Sequence, residues 1–170
     1  MKLLGVVLAG GKSRRFGRDK ALALLDGRPL IDHALAALSG CDAVVVAGRE
    51  WPGVTSLPDR PLPDLGPLGG LNAALHHAAA RGFSHIASLP VDCPALPAGW
   101  LAQLGDGPAH AAGQPLIAVW PVALTVGLEA FVASGGRRVR DWVTHISARA
   151  VDLGLLANLN HPGDLDRLHR

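Results

Sequence analysis

The stretch from Leu8 to Lys20 has the residue types of a phosphate-binding loop. It follows an apolar run, Leu3 to Leu8, that predicts a buried strand. Glycines then free the backbone to turn sharply and to approach a ligand closely, and backbone N–H groups in such a turn bind anions. Lys and Arg side chains add charge and forked hydrogen bonds to phosphate oxygens. The glycines are Gly10, Gly11 and Gly17, and the cations are Lys12, Arg14, Arg15, Arg18 and Lys20. This order of strand, glycines and cations favours a polyphosphate site over a solvated basic loop.

Asp92 and Asp59 are the carboxylates best placed to work beside such a loop. Asp92 ends an apolar strand-like run and lies between two prolines that stiffen it. A rigid carboxylate beside a polyphosphate suits Mg²⁺, which takes one or two carboxylates together with phosphate oxygens and waters. The alternative for Asp92 is a cap of the helix predicted near Pro97. Asp59 also follows a strand-like run, and its alternative is a turn-forming residue before Arg60 and Pro61.

Other motifs that bind phosphates or supply a nucleophile fit the sequence less well. Residues 6–13 match the Walker A pattern except that Val6 replaces the first glycine. A P-loop also enters its helix at the Lys-Ser pair, whereas here the loop continues to Gly17. The dinucleotide pattern G-x-G-x-x-G fails, G-x-S-x-G does not occur, and Cys93 has no positioned His in its sequence neighbourhood. A P-loop-like NTPase and a non-catalytic nucleotide sensor or partner-binding module stay open as other classes of function.

The amino-acid composition excludes further classes of protein. The chain has 170 residues, of which 49% are hydrophobic and 18% charged, and these values are typical of a globular protein. A net charge of +2 makes the basic loop a local feature, whereas a nucleic-acid surface needs a wider excess. Cys41 and Cys93 form neither a metal-type spacing nor a disulfide framework. The apolar N-terminus lacks a signal cleavage site, and prolines interrupt the uncharged stretch 107–128. We therefore expect a cytoplasmic protein that binds neither nucleic acid nor membrane.

Strand-like and helix-like segments alternate along the chain. The predicted strands are Leu3–Leu8, Ala43–Ala47, Val54–Leu57, Ser84–Leu89 and Leu116–Trp120. The predicted helices run from Leu30 to Leu38, from Leu68 to Gly82, from Pro97 to Leu104, from Pro121 to Ala133, after Val139 and from Pro162. This alternation predicts an α/β fold with a mainly parallel sheet covered on both faces. Ligands of such sheets bind at the carboxyl ends of the strands, where the basic loop and Asp92 lie. Without an internal repeat or a linker, residues 1–170 are expected to form one domain.

Several motifs together resemble one family of enzymes. The pattern Leu8-Ala9-Gly10-Gly11-x-Ser13-x-Arg15-x-Gly17-x-Asp19-Lys20 is similar to the signature of nucleotidyltransferases that activate small phosphorylated metabolites. Four further motifs narrow the resemblance: Gly66-Pro67-Leu68-Gly69-Gly70-Leu71, Asp92-x-Pro94, Arg137-Arg138-Val139 and Asn158-x-Asn160-x-Pro162-x-Asp164-Leu165. From about residue 3 to residue 168, the chain is similar to the molybdenum cofactor guanylyltransferases, the MobA family. The first signature is shared with cytidylyl- and uridylyltransferases, so the later motifs make the resemblance specific.

The resemblance implies a fold, a reaction and partners. The fold is a single-domain, three-layer αβα sandwich with a mainly parallel, mixed sheet, the Rossmann-like nucleotidyltransferase fold. The reaction joins GMP from GTP to molybdopterin, with or without its metal, and releases pyrophosphate with Mg²⁺ as cofactor. GTP and molybdopterin are then the small-molecule partners, and transient contacts with cofactor-delivery or acceptor proteins are expected. The alternative is a cytidylyltransferase or other nucleotidyltransferase that acts on a different pterin or on a sugar phosphate.

The resemblance also assigns roles to individual residues. The GTP-binding residues are Leu8, Ala9, Gly10, Gly11, Lys20, Asp59 and Asp92, and the catalytic residues are Lys20, Asp92 and Arg15. Asp92 is also the magnesium ligand. The pterin-binding residues are Arg137, Arg138, Asn158 and Asn160. As a carboxylate, Asp59 can accept hydrogen bonds from guanine N1–H and N2–H together. Ala47 departs from the family pattern, because a polar residue that contacts the nucleotide is common at that position.

Overall fold

The computed structural model describes residues 1–11, 19–157, 159 and 164. Its strands are β1 (Leu3–Leu8), β2 (Leu24–Leu25), β3 (Arg28–Pro29), β4 (Ala43–Ala47), β5 (Thr55–Leu57), β6 (His85–Pro90), β7 (Ala109–Ala111), β8 (Gln114–Pro121) and β9 (Arg149–Val151). Its helices are α1 (Leu30–Ala37), α2 (Pro67–Ala80), α3 (Trp100–Leu104), α4 (Thr125–Ala133) and α5 (Val139–His145), and short 3-10 turns occupy Lys20–Leu22 and Val122–Leu124. Of the helix predicted from Pro162, only Asp164 is among the described residues, and its conformation is helical.

Seven of these strands form one mixed sheet in the order β5-β4-β1-β6-β8-β7-β9. The strands β5, β4, β1 and β6 are parallel, β8 is antiparallel to β6 and β7, and β9 is parallel to β7. A buried serine stabilises the change of direction. The Ser88 hydroxyl donates to the Leu116 carbonyl at 2.6 Å, and the Trp120 indole N–H donates to that hydroxyl at 2.9 Å. These polar groups are therefore satisfied inside the core. The prediction of a mainly parallel, mixed sheet is confirmed.

Helices cover both faces of the sheet because its strands are apolar on both sides. In β1, Leu3 and Val7 pack on one face with residues of α1 and α3. Leu4, Val6 and Leu8 pack on the other face with residues of α2, α4 and α5. Side chains of a strand alternate between faces, and apolar residues at both phases are typical of a sheet that is buried on both sides. The three-layer αβα arrangement predicted from the sequence is confirmed.

The first turn of α2 lies close to the sheet. The fully buried leucines of this helix are Leu68, Leu71 and Leu75. Their spacing of three and four places them on one helical face, and Pro67 suits the first helical position because its φ is fixed. An ideal Cβ on Gly70 would lie 3.1 Å from the Ala47 Cβ and 3.2 Å from the Leu8 Cδ2. Glycine at position 70 therefore lets the start of α2 approach the ends of β1 and β4.

The sequence analysis missed β7, β9 and the hairpin of β2 and β3. Both β7 and β9 contain three residues, too few to show alternation, and they pair only after α5 has brought the chain back. The hairpin turns at Asp26 and Gly27, whose φ values of 50° and 73° suit a two-residue turn. Two predicted helices begin later than expected, at Trp100 and at Thr125. Among the described residues, none of the helices has the length and apolar content that a membrane crossing requires.

Candidate functional site

The described residues form a cleft of about 220 Å³ at the carboxyl ends of β1, β4 and β6. These strands end together, since Leu8 pairs with Ala47 on one side and with Pro90 on the other. The loops that follow parallel strands meet at one edge of a sheet and line its ligand site. The cleft includes every residue that the sequence predicted to bind GTP, namely Leu8, Ala9, Gly10, Gly11, Lys20, Asp59 and Asp92. Residues that are distant in the sequence are therefore neighbours at this edge.

The turn after β1 rests directly on the turn after β4. The Ala9 N–H donates to the Ala47 carbonyl at 3.0 Å, and the next residue, Gly10, lies against Gly48. A Cβ on Gly48 would lie 2.5 Å from the Gly10 Cα, and the φ of Gly48 is 88°, a conformation that residues with side chains disfavour. This crossing of two backbones requires glycine at position 48. It leaves Gly10 and Gly11 exposed along the border of the cleft.

Lys20 and Asp92 face each other in the cleft. The Lys20 Nζ lies 3.5 Å from the Asp92 Oδ2, and the two side chains are 16% and 24% exposed. Asp92 lies two residues after the end of β6, and its carbonyl accepts a hydrogen bond from the Leu159 N–H at 2.9 Å. The alternative role of Asp92 as a helix cap is wrong, because α3 begins at Trp100 with Gly99 as its N-cap. The Asp92 carboxylate instead lies beside an ammonium group in the cleft.

The donor set of the cleft fits Mg²⁺. Magnesium binds a protein through one or two carboxylates and completes its coordination with phosphate oxygens and waters. Asp92 supplies one carboxylate, and the neighbouring Lys20 lies where phosphates would also bind. Within the described part of the chain there is no group of three or more His, Cys, Asp or Glu side chains that could hold a metal ion. Asp92 therefore suits a metal ion whose coordination is shared with a nucleotide.

Asp59 lines the cleft at the first turn of α2. An ideal Cβ on Gly69 would lie 3.0 Å from the Asp59 Cγ and Oδ2, so the missing side chain of Gly69 provides the space for this carboxyl group. Burial raises the pKa of Asp59, and the negative charge of Asp64 raises the pKa further. A carboxylate with little hydration is stabilised by N–H donors from a ligand. This environment supports the predicted contact between Asp59 and a nucleotide base.

Arg137 and Arg138 belong to the connection between α4 and α5. The Arg137 Nη1 donates to the Val132 carbonyl at 2.8 Å and to the Gly136 carbonyl at 2.7 Å, and these bonds close the end of α4. Arg138 is the N-cap residue of α5. Neither arginine is among the described residues that line the cleft or its neighbouring cavity, so their role toward a pterin stays a prediction. Three further predicted site residues, Arg15, Asn158 and Asn160, lie outside the described residues.

A second cavity of about 720 Å³ adjoins the cleft. It shares Gly10, Gly11, Asp59 and Gly66 with the cleft. Its other lining residues are Gly48, Arg49, Glu50, Ser56, Leu57, Pro58, Pro63 and Asp64. The sequence analysis missed this cavity because these other residues, in β5 and in the loops after β4 and β5, belong to none of the motifs. The shared border means that a ligand bound in the cleft can extend into the larger space.

The sequence analysis also missed a forked ion pair between Arg49 and Asp19. The Arg49 Nη1 donates to the Asp19 Oδ1 at 2.8 Å, and the Nη2 donates to the Oδ2 at 2.6 Å. The hydrogen bonds from Arg49 hold the pKa of Asp19 below its ordinary value, and the bonded carboxylate raises the pKa of Arg49. Asp19 Oδ1 also accepts a hydrogen bond from the Ala21 N–H at 3.1 Å. The partners are 30 residues apart, so no local spacing predicts the pair.

The chain matches a known protein family over most of its length. Residues 5–150 match the MobA-like NTP transferase domain. A molybdenum cofactor guanylyltransferase from Acidiphilium cryptum is 40% identical over 181 residues, which cover 96% of this chain and 92% of that protein. Another, from Rhodobacter capsulatus, is 37% identical over 184 residues, which cover 98% and 95% of the two chains. These matches include the whole of the cleft.

Solved structures share the fold. Molybdopterin-guanine dinucleotide biosynthesis protein A from Archaeoglobus fulgidus is similar with a TM-score of 0.71 at 24% identity, over 96% of this chain and 95% of that one. The 2-C-methyl-D-erythritol 4-phosphate cytidylyltransferase from Thermus thermophilus has a TM-score of 0.70 at 18% identity, over 95% of each chain. At such low identities the likeness concerns the architecture. The sequence match over residues 5–150 goes further: this chain belongs to the family of MobA-like NTP transferases.

Proposed function

We propose that this protein transfers GMP from GTP to molybdopterin, with release of pyrophosphate, and so forms the guanine dinucleotide of the cofactor. The observation that carries the proposal is the placement of Lys20 and Asp92, whose charged atoms lie 3.5 Å apart beside the glycine turn. An ammonium group, a carboxylate and accessible backbone are the groups that a metal-bound triphosphate needs. Relatives named for guanylyl transfer match nearly the whole chain, which supports the same assignment.

The reaction needs no side-chain nucleophile. An oxygen of the terminal phosphate of molybdopterin attacks the α-phosphorus of GTP. The bond from that phosphorus to the oxygen that bridges the α and β positions breaks, and its electron pair leaves with pyrophosphate. The second pKa of a phosphate monoester is about 6, so the attacking group is ionised near neutral pH without a general base. The work left to the protein is to position the substrates and to stabilise the developing charge.

Different residues of the cleft bind the triphosphate and the metal ion. The Lys20 ammonium binds the triphosphate, and the backbone of residues 8–11 follows the nucleotide closely. Asp92 would hold Mg²⁺, which when bound neutralises charge on the phosphates. Arg15 adds a second cationic side chain in this assignment. Lys20 and Asp92 are carried by separate elements, the 3-10 turn and the loop after β6, so each can be replaced on its own to test its role.

The remaining assignments concern the base and the acceptor. Asp59 accepts hydrogen bonds from guanine, a role that suits a carboxylate whose pKa burial raises. The acceptor pterin is assigned to Arg137, Arg138, Asn158 and Asn160. The sheet joins strands from Leu3 to Val151, which supports the action of residues 1–170 as one domain. A cytoplasmic location and transient contacts with cofactor-delivery or acceptor proteins complete the proposal.

The test compares nucleotides and follows the product. Purified protein, Mg²⁺ and molybdopterin are incubated with GTP or CTP, and chromatography identifies any dinucleotide that forms. We expect the guanine product, together with GTP binding at least about tenfold tighter than CTP binding, or roughly 1.4 kcal/mol. Equal binding of the two nucleotides, or a cytosine product alone, would favour the cytidylyltransferase alternative. Hydrolysis of GTP without transfer to the acceptor would indicate an NTPase.

A further inference from the structure

We propose that Arg49 is a positioning residue for Lys20 and that it acts through Asp19. The inference rests on the proposed function of the cleft, and it deepens that function by adding a pair to which no role has been assigned. Arg49 binds both carboxylate oxygens of Asp19, and Asp19 is the N-cap of the 3-10 turn that begins at Lys20.

The backbone next to Arg49 is held in place by the fold. The residue before it, Gly48, donates its N–H to the Leu57 carbonyl at 3.0 Å and packs its backbone on Gly10. The backbone that carries Arg49 is therefore held by β5 and by the turn after β1. The Arg49 side chain is 24% exposed, and its planar fork makes two parallel bonds, a geometry that fixes direction as well as distance. Arg49 can therefore orient the group that it binds.

Asp19 in turn orients the 3-10 turn that carries Lys20. The Asp19 Oδ1 that accepts from Arg49 also accepts from the Ala21 N–H at 3.1 Å. A side-chain acceptor at the N-cap satisfies a backbone donor of the first turn and sets the direction in which that turn leaves the cap. Ala21 itself is buried, with 2% exposure. The turn is thus held from both sides, by the Asp19 carboxylate and by the core.

The result is a defined position for the Lys20 ammonium, 3.5 Å from the Asp92 Oδ2. A lysine side chain has four rotatable bonds, so its charged end is placed reproducibly only if its backbone is held. Stabilisation of a transition state depends on groups that are already in position before the charge develops. Removal of Arg49 should therefore weaken the action of Lys20 without removal of any group that touches the reacting phosphates.

The first test separates kcat from the KM for GTP. For Arg49→Ala we expect kcat to fall about tenfold while the KM for GTP changes less than about threefold, because the lost effect belongs to the transition state. Arg49→Lys should recover little of the loss, since an ammonium group cannot form the fork. The matched control is Arg81→Ala, an exposed arginine at the opposite end of α2, which should behave as wild type. A raised KM with an unchanged kcat would show that Arg49 contacts the nucleotide directly, and would overturn the proposal.

The second test asks whether Arg49 acts through Lys20. In a Lys20→Ala background, Arg49→Ala should change kcat by less than about twofold, because residues in one connected path are not additive. An equal loss in both backgrounds would overturn the proposal. Asp19→Asn keeps an N-cap acceptor for Ala21 but loses the charge, so this variant should lose part of the activity. If Arg49→Ala does not fold, Asp19→Asn replaces it in the comparison of the two backgrounds. Circular dichroism and melting temperature check the fold of each variant.

A third readout does not depend on the reaction. Acetylation of lysines, followed by mass spectrometry, measures how often each ammonium group leaves its contacts. In Arg49→Ala the labelling of Lys20 should rise at least about threefold, whereas that of Lys2, which lies over the Phe83 ring, should not change. Unchanged Lys20 labelling would overturn the inference even if molybdopterin proves to be the wrong acceptor. Absence of dinucleotide from the wild-type enzyme would instead remove the proposed function and leave the labelling result to decide the role of Arg49.

Discussion

Two regions carry charged residues that the family resemblance marks, and the charged side chains make different contacts in each region. We call the first the nucleotide edge, meaning residues 8–11, 19–21 and 90–92. There Lys20 and Asp92 face each other in a cleft. The second is the connection between α4 and α5, where Arg137 donates to two backbone carbonyls at the end of α4. One region presents opposite charges to a cavity, and the other uses a cation to close a helix.

The difference shows that a motif specifies residue types, whereas the fold determines which groups those residues contact. In the sequence, Lys20 belongs to the glycine-rich basic loop, and Arg137 is assigned to the pterin by the family resemblance. In the structure, the Asp92 carboxylate in the loop after β6 opposes Lys20, so a metal ion and phosphates can complete the set of charged groups. Arg137 instead donates to the Val132 carbonyl in the last turn of α4 and to the Gly136 carbonyl just after it. Substitutions in the two regions should therefore change different observables, activity in the first and stability in the second.

The largest expected effect is that of Asp92→Asn at the nucleotide edge. The variant keeps the shape of the side chain but loses the charge that a hard cation prefers. Loss of one preorganised electrostatic group typically lowers a rate by about 10²–10³, so we expect the rate of transfer to fall at least about a hundredfold. High Mg²⁺ should restore part of the activity, and circular dichroism should show an intact fold. Near-normal turnover would mean that Asp92 does not hold the metal.

Lys20→Ala is the matched variant for Asp92→Asn. Its loss should be of similar size, about a hundredfold, because an ammonium group also stabilises charge that develops on the departing pyrophosphate. Added Mg²⁺ should not restore the activity, since the missing group is not a metal ligand. Rescue of Lys20→Ala by Mg²⁺ to the same extent as Asp92→Asn would show that the two residues share one role.

The next effect concerns the backbone crossing that supports the nucleotide edge. A Cβ on Gly48 would lie 2.5 Å from the Gly10 Cα, and the φ of Gly48 is 88°. Gly82 has a φ of 71° with no atom within 4 Å of an added Cβ, so Gly82→Ala measures the backbone strain alone, about 1–2 kcal/mol. Gly48→Ala adds overpacking of about 1–3 kcal/mol. Urea unfolding should therefore show a larger loss for Gly48→Ala, and equal losses would contradict the close crossing.

The nucleotide edge could be predicted from the sequence because its signals are local. An apolar run followed by glycines and cations predicts a strand and an anion-binding turn, and a carboxylate after a second apolar run predicts a partner at the same edge. Five predicted strands form the framework of the sheet as expected. Likewise, the spacing of Leu68, Leu71 and Leu75 predicts the buried face of α2.

The features that the sequence did not predict depend on contacts between distant segments. Arg49 meets Asp19 only because the fold brings the end of β4 close to the start of the 3-10 turn. The strands β7 and β9 exist because they pair with each other, not because of their own three residues. The hydrogen bonds of Arg137 to α4 arise from the path of the chain after Phe131, whose ring fills the space beside Gly136. The periodicity of apolar residues and the spacing of motifs in the sequence do not indicate such contacts.

A smaller effect is expected at the connection between α4 and α5. Arg137→Ala removes two hydrogen bonds to carbonyl groups, each worth about 1 kcal/mol at most in a partly exposed position, so the melting temperature should fall by about 3–6 °C for a chain of this size. Arg138→Ala is the control, since the neighbouring Arg138 has no side-chain cap bond to α5. If both variants keep their stability and lose use of the pterin, the two regions are functionally alike and the comparison fails.

The smallest effect is a pH dependence of stability that originates at Asp59. Burial and the charge of Asp64 raise the pKa of Asp59 in the folded state above its ordinary value of 3.8. The folded protein therefore holds this proton more tightly than the unfolded chain does, and stability that is fully present below pH 3.8 is lost as the pH rises through the raised pKa.

Asp59→Asn removes that ionisation and should make the ligand-free protein more stable at pH 7, by about 1–2 °C in melting temperature, with no gain below the ordinary pKa of the carboxyl group. The melting temperature should rise because a neutral amide in a partly buried position has no charge to hydrate. The same variant should bind GTP less tightly, because the amide replaces one of the two acceptor oxygens of the carboxylate by an NH2 group, which cannot accept a hydrogen bond from guanine. Melting curves with and without GTP at both pH values measure the two changes together. A gain in stability that is equal at both pH values would mean that the amide acts through packing and not through the lost charge.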